Sequence, residues 1–262
     1  MLPVPSVRRA VLGSLVYFPS RNIGRTPAAA GLTFRELSFT TEDDIGLCGW
    51  WLSTSEQDRH GEILFCHGNA GNIGDRLLEA QLLTSAGFDV LLFDYRGYGR
   101  SNGRADEQGT YRDARAAQAA LTAQPEADPA RMIYLGESLG GAIALHLALE
   151  RPPAGLILQS TFTSIRALAR HHYPLIPSLL IPDWYPSLST VARLPAPLLV
   201  LHGDRDDIAP LSHGQALYDA APAPKRIHVF AGRGHNDLAA MSGTEYASLI
   251  AQWASDLRNP PD

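Results

Sequence analysis

The 262-residue chain is 45% hydrophobic and 19% charged, with 22 Lys and Arg against 27 Asp and Glu for a formal net charge of −5. Disorder needs low hydrophobicity with high net charge, and a nucleic-acid binder needs a basic excess with a basic stripe, so both are excluded. The length admits either one α/β unit of roughly 250 residues or two smaller domains.

At the N-terminus, Arg8-Arg9 precede an apolar run at residues 10–18, a pattern similar to a short signal peptide. Pro19 stops the run, and the Ala-x-Ala candidate at residues 28–30 lies far beyond it. A cytoplasmic rather than secreted chain is therefore expected, with residues 1–18 as a candidate for weak membrane association. No stretch reaches the roughly 18 consecutive apolar residues of a membrane-spanning helix. Cys48 and Cys66 are too few for a disulfide framework and lack the spacing of a zinc site.

Further along, residues 34–41 and 47–53 read as a hairpin turning at Glu42-Asp43-Asp44. Five short, continuously apolar runs follow, at residues 63–66, 90–93, 132–135, 156–158 and 198–201, as expected of strands buried on both faces. Residues 227–230 read as a last strand. Between them, helical patterns fall at 75–85, 107–123, 139–150, 212–221 and 238–257. This alternation predicts an α/β fold with a mostly parallel, eight-stranded sheet covered by helices on both faces. Residues 161–195, rich in Pro, Leu and aromatics (Tyr173, Trp184, Tyr185), break the alternation and read as a short lid over the sheet.

Chemistry concentrates at the strand ends. Gly136-Glu137-Ser138-Leu139-Gly140 is G-x-S-x-G between an apolar strand and a helix, the context in which a sharp turn lifts a serine hydroxyl above a sheet. The competing role for Ser138 is that of a helix cap. Serine needs a base, and the base an orienting acceptor. Of nine histidines, His235 stands in a glycine-flanked loop after the last strand, whereas His228 alternates within a strand and His171 and His172 lie in the insertion. The acid must come from the turn after residues 198–201, where Asp204, Asp206 and Asp207 compete and periodicity does not choose. Oxyanion donors are expected from the N–H of Leu139 and from the loop His67-Gly68-Asn69-Ala70, with Asn69 favoured over Ala70. The same glycines could cradle a phosphate, but no P-loop lysine or G-x-G-x-x-G accompanies them.

Taken in order, Phe65-Cys-His-Gly-Asn-Ala-Gly-Asn72, Phe93-Asp-Tyr-Arg-Gly-Tyr-Gly-Arg-Ser-Asn-Gly103, Gly136-Glu-Ser-Leu-Gly-Gly141, Leu201-His-Gly-Asp-Arg-Asp206 and Gly234-His-Asn-Asp237 resemble the α/β-hydrolase superfamily. The resemblance runs from about Leu15 to the end. Within the superfamily the chain is similar to the bacterial and fungal esterase-like proteins related to eukaryotic protein depalmitoylases. It implies one domain over residues 1–262, with residues 161–195 as lid or cap.

The resemblance also implies Asp206 as the acid of a Ser138–Asp206–His235 triad. Asp94, Arg96, Gly97 and Gly99 match a structural turn, and the cysteine-rich N-terminus of the depalmitoylases is missing. The family strand order puts Cys48 and Cys66 on strands flanking a third, about 9.6 Å apart at roughly 4.8 Å per strand. That is beyond the roughly 7 Å reach of a disulfide, so free thiols are predicted.

The expected activity is a serine hydrolase of carboxylic esters or thioesters, of short to medium acyl length, with no cofactor, metal or nucleic-acid partner. A peptidase or amidase using the same triad and a non-catalytic binding protein are the alternatives.

Overall fold

The computed structural model describes residues 16–55, 59–177 and 180–259. Most of the apolar run at residues 10–18 therefore lies outside the described residues.

Eight strands make one sheet: β1 (Phe34–Thr40), β2 (Gly46–Leu52), β3 (Gly61–Cys66), β4 (Phe88–Phe93), β5 (Ile133–Glu137), β6 (Gly155–Gln159), β7 (Leu198–Gly203) and β8 (Lys225–Phe230). Their order is β1-β2-β4-β3-β5-β6-β7-β8. Strand β2 pairs antiparallel with both neighbours, and every other pairing is parallel. The strands from β3 to β7 are buried along their whole length. Alternation is useless to a strand covered on both faces, which is why these segments read as unbroken apolar runs.

The two covers divide the side chains of each strand. Leu64 and Cys66 of β3 face one cluster with α2 (Glu107–Thr122), α3 (Leu139–Glu150) and α6 (Leu211–Ala220). Ile63 and Phe65 face the other, with α1 (Leu77–Ser85) and α7 (Leu238–Arg258). Two expected helices are modified. Residues Ile73–Arg76 form a 3-10 turn, closed by a reciprocal capping box between Asn72 and Asp75, so α1 starts only at Leu77. In α7, Gly243 takes φ +47°, which breaks the helical run.

The insertion is more regular than its composition suggested, holding α4 (Ile165–His172) and α5 (Ser187–Val191). Helix α4 buries no residue fully and is capped by Ser164, whose Oγ accepts from the Ala167 N–H at 3.1 Å. Its Ile165 and Leu168, one turn apart, are half-buried against the core, a narrow apolar stripe on a helix of eight residues. Cys48 on β2 and Cys66 on β3 lie on either side of β4 and are both free, as expected.

Candidate active site

The sheet register brings the chemical residues together. Cys66 pairs with Gly136, Glu137 with Gln159, and Gly203 with Phe230, so the segments that follow β3, β5, β7 and β8 leave the same carboxyl edge. Open α/β sheets assemble sites on that edge.

Ser138 sits between β5 and α3 at φ +52°, ψ −114°, in the left-handed half of backbone space that non-glycine residues avoid. The turn persists because its surroundings leave no alternative. A Cβ on Gly140 would collide with the Cys66 carbonyl, so α3 can pack this close to β3 only with glycine there. Gly140→Ala is expected to cost at least about 2 kcal/mol, because the obstacle is backbone and cannot rotate away. The check is a thermal melt, in which Tm should fall by at least roughly 5 °C.

The capping role is not the one Ser138 plays, since its side chain makes no cap hydrogen bond. Its Oγ lies 3.0 Å from Nε2 of His235, and His235 Nδ1 lies 2.8 Å from Oδ2 and 3.0 Å from Oδ1 of Asp206. All three are buried. The turn after β7 resolves the three carboxylates by use. Asp204 accepts from the Gly232 N–H at 2.6 Å and Asp207 is exposed, which leaves Asp206 facing the imidazole.

Oδ1 of Asp206 accepts from the N–H groups of Ile208 and Ala209 at 3.0 and 2.7 Å. His202, which the sequence reading passed over, is fully buried beneath. Its Nε2–H reaches the Ala209 carbonyl at 2.7 Å and Oδ2 of Asp206 at 3.3 Å. Burial alone would push the Asp206 carboxyl up. Hydrogen bonds from His202 and His235, the His235 charge and the Ala209 N–H outweigh burial and hold it well below the usual carboxylate range.

The loop after β3 is held at nearly every polar backbone atom. The Tyr95 hydroxyl donates to the His67 carbonyl at 3.0 Å, and the Tyr98 hydroxyl to the Asn69 carbonyl at 2.8 Å. The Gly68 N–H donates to Oε2 of Glu137 at 3.3 Å, and Arg76 Nε holds the same oxygen at 2.5 Å. His67 is fully buried. Desolvation and the Arg76 charge push its imidazole down to about 3, so it is neutral, and its Nδ1–H donates to the Gly68 carbonyl at 2.7 Å. Among the described residues the Asn69 N–H has no acceptor, and the Leu139 N–H lies in the first turn of α3, where none is available within the helix.

Asp94 and Arg96 are occupied structurally, as the resemblance implied. Asp94 accepts from the Ile73 N–H at 3.0 Å, while Arg96 pairs with Asp113 at 2.9 Å and in bidentate fashion with Asp43 at 2.8 Å. Among the described residues no His, Cys, Asp and Glu side chains cluster to hold a metal ion, and no helix is long and apolar enough to cross a membrane.

Residues 57–193 match the family model Hydrolase_4, described as serine aminopeptidase, S33. An uncharacterized protein of Mycobacterium tuberculosis is 42% identical over 92% of this chain and 86% of its own length. Protein bem46 of Schizosaccharomyces pombe is 30% identical over 93% of this chain and 85% of its own. Among solved structures, an α/β hydrolase from Vibrio vulnificus superposes with a TM-score of 0.78 at 22% identity, covering 96% of this chain and 95% of that one. Esterase Pf2001 of Pyrococcus furiosus gives 0.74 at 19%, covering 92% and 97%. The fold is that of an α/β hydrolase. The chain belongs to the Hydrolase_4 family within that class.

Proposed function

We propose that this hydrolase cleaves carboxylic esters or thioesters through an acyl-enzyme on Ser138. The observation that carries the reading is the unbroken hydrogen-bonded chain from Ser138 Oγ through His235 to a carboxylate that stays ionised. Nε2 of His235 takes the hydroxyl proton as Oγ attacks the acyl carbon, then returns it to the leaving oxygen or sulfur. Asp206 keeps the other imidazole proton on Nδ1 and stabilises the transient imidazolium. The N–H groups of Leu139 and Asn69 receive the oxyanion. A water activated by the same His235 releases the acid. The chain's own side chains account for each proton in both half-reactions.

The lid is the proposed acyl-binding element. Leu175, Ile176, Leu180 and Leu188 are exposed, and Trp184 is half-buried against the core. A series of p-nitrophenyl esters of rising chain length should show a preference that shifts in Trp184→Ala. Identical profiles for the two proteins would remove the lid from substrate selection.

The family description favours a second reading, amide or peptide hydrolysis with the same residues. Matched ester and anilide substrates separate the two. Ester turnover is expected to exceed anilide turnover by at least about 100-fold, because an anilide is the less reactive acyl group and its nitrogen must be protonated by His235 before it leaves. Comparable rates would favour the peptidase.

A further inference from the structure

We infer that the N-terminal strap at residues 16–20 is a positioning element of the active site, holding the Asn69 peptide in place and tying it through Tyr17 to the lid. The inference rests on the assignment of the Asn69 N–H as an oxyanion donor.

The strap meets the loop at Asn69 from two sides. The Asn69 Nδ2–H donates to the Val16 carbonyl at 2.8 Å, and the Phe18 N–H donates to the Asn69 carbonyl at 3.0 Å. Beyond it, Phe18 and Pro19 pair in parallel with Ala70 and Gly71, and the Ser20 N–H reaches the Gly71 carbonyl at 2.9 Å. A two-residue pairing is too short to stand alone. It is anchored from behind, since the Ser20 carbonyl accepts from the Gly99 N–H at 2.9 Å and from Asn72 Nδ2 at 3.2 Å. Tyr17 is buried, and its hydroxyl lies 2.7 Å from that of Tyr185 in the lid, which in turn lies 2.8 Å from Thr110 Oγ1.

These contacts explain a choice that the oxyanion role leaves open. Any residue supplies a backbone N–H, so that role does not require asparagine at position 69. The side-chain amide is used to grip the strap, while the strap grips the carbonyl of the same residue. An oxyanion donor must lie about 2.7–3.1 Å from an oxygen that exists only in the transition state, and a slackened loop loses that fit first.

The prediction separates positioning from mere anchorage. Asn69→Ala keeps every backbone group and removes only the bond to Val16. Phe18→Pro removes the Phe18 N–H, which meets the Asn69 carbonyl and the Tyr98 hydroxyl on that same carbonyl, at a position where the side chain is exposed. For p-nitrophenyl acetate, each variant is expected to lower kcat about tenfold with KM within twofold, because the lost fit is felt in the transition state. The double variant should lose less than the product of the two, since both act on one peptide.

Rates are normalised to the fraction of Ser138 labelled by a fluorophosphonate probe, and folding is followed by Tm. If either variant fails to fold, the other carries the test. Single variants with kcat within twofold of the wild type, or with only Tm lowered, overturn the strap's role while leaving the hydrolase reading intact. A folded wild-type protein that neither labels nor turns over ester overturns the hydrolase reading itself.

Discussion

Ser138→Ala should lower kcat for a p-nitrophenyl ester by at least about 10⁴-fold while leaving Tm within a few degrees of the wild type. The chemical effect is large because the hydroxyl has, among the described residues, one side-chain partner, Nε2 of His235 at 3.0 Å, and takes no part in capping α3. Nothing structural is lost with it. The effect on stability is small because alanine occupies the same left-handed turn with less volume, and the backbone bond from the Ser138 N–H to the Gln159 carbonyl at 2.8 Å is retained. The variant would keep the N–H groups of Leu139 and Asn69 and the imidazole, so a residual rate above the uncatalysed reaction is expected. Initial rates, melting curves and fluorophosphonate labelling check the three parts. A variant that folds, keeps more than about 1% of the activity and still labels would place the nucleophile elsewhere.

The parts of this molecule that were legible in its sequence are those where one physical requirement leaves one residue type. Strands β3 to β7, covered on both faces, must be apolar throughout, and their runs identify them within two residues at most ends. Gly140 must be glycine because the Cys66 carbonyl occupies the place of its Cβ. Ser138 and His235 stood out because each lies in a short glycine-flanked turn at a strand end.

The acid was not legible in the same way. Asp204, Asp206 and Asp207 are chemically identical, and what separates them is which loop atoms each one meets. Only family resemblance chose Asp206, the carboxylate whose Oδ2 lies 2.8 Å from His235 Nδ1. The strap is invisible to sequence patterning for a different reason. On its own side the strap bonds to Asn69 and Gly71 through backbone groups that every non-proline residue possesses, so no residue type within it marks it. His202 escapes for another reason, because its side-chain Nε2 reaches a carbonyl and a carboxylate that only the folded turn brings together. Glu137 occupies a variable place in its motif, yet it joins Arg76 to the Gly68 N–H, a pairing made by tertiary packing across 61 and 69 residues of chain.

Asp206→Asn is expected to be almost as damaging as loss of the nucleophile, about 10⁴-fold in kcat, although it changes one atom in a buried side chain. The hydrogen bonds determine which way the new amide faces. Oδ1 accepts from two backbone N–H groups, Ile208 and Ala209, against one longer contact from His202 Nε2–H at Oδ2, so the amide oxygen takes the Oδ1 position and the NH2 takes that of Oδ2. The NH2 then points at His235 Nδ1, 2.8 Å away, and can only donate to it. Nδ1 becomes an acceptor, the ring proton moves to Nε2, and Nε2 can no longer receive the Ser138 proton at 3.0 Å. The geometry survives while the tautomer is wrong, so KM should change far less than kcat. A pH-stability comparison supplies an independent reading of the same carboxylate. Its folded-state pKa is depressed, so its contribution to stability is present above the unfolded value near 3.9 and is lost as pH falls through the folded value. The wild type should therefore lose stability below about pH 4 more steeply than the variant, whose amide does not titrate. Parallel acid-unfolding curves, or full activity in Asp206→Asn, would show that this carboxylate does not orient the imidazole.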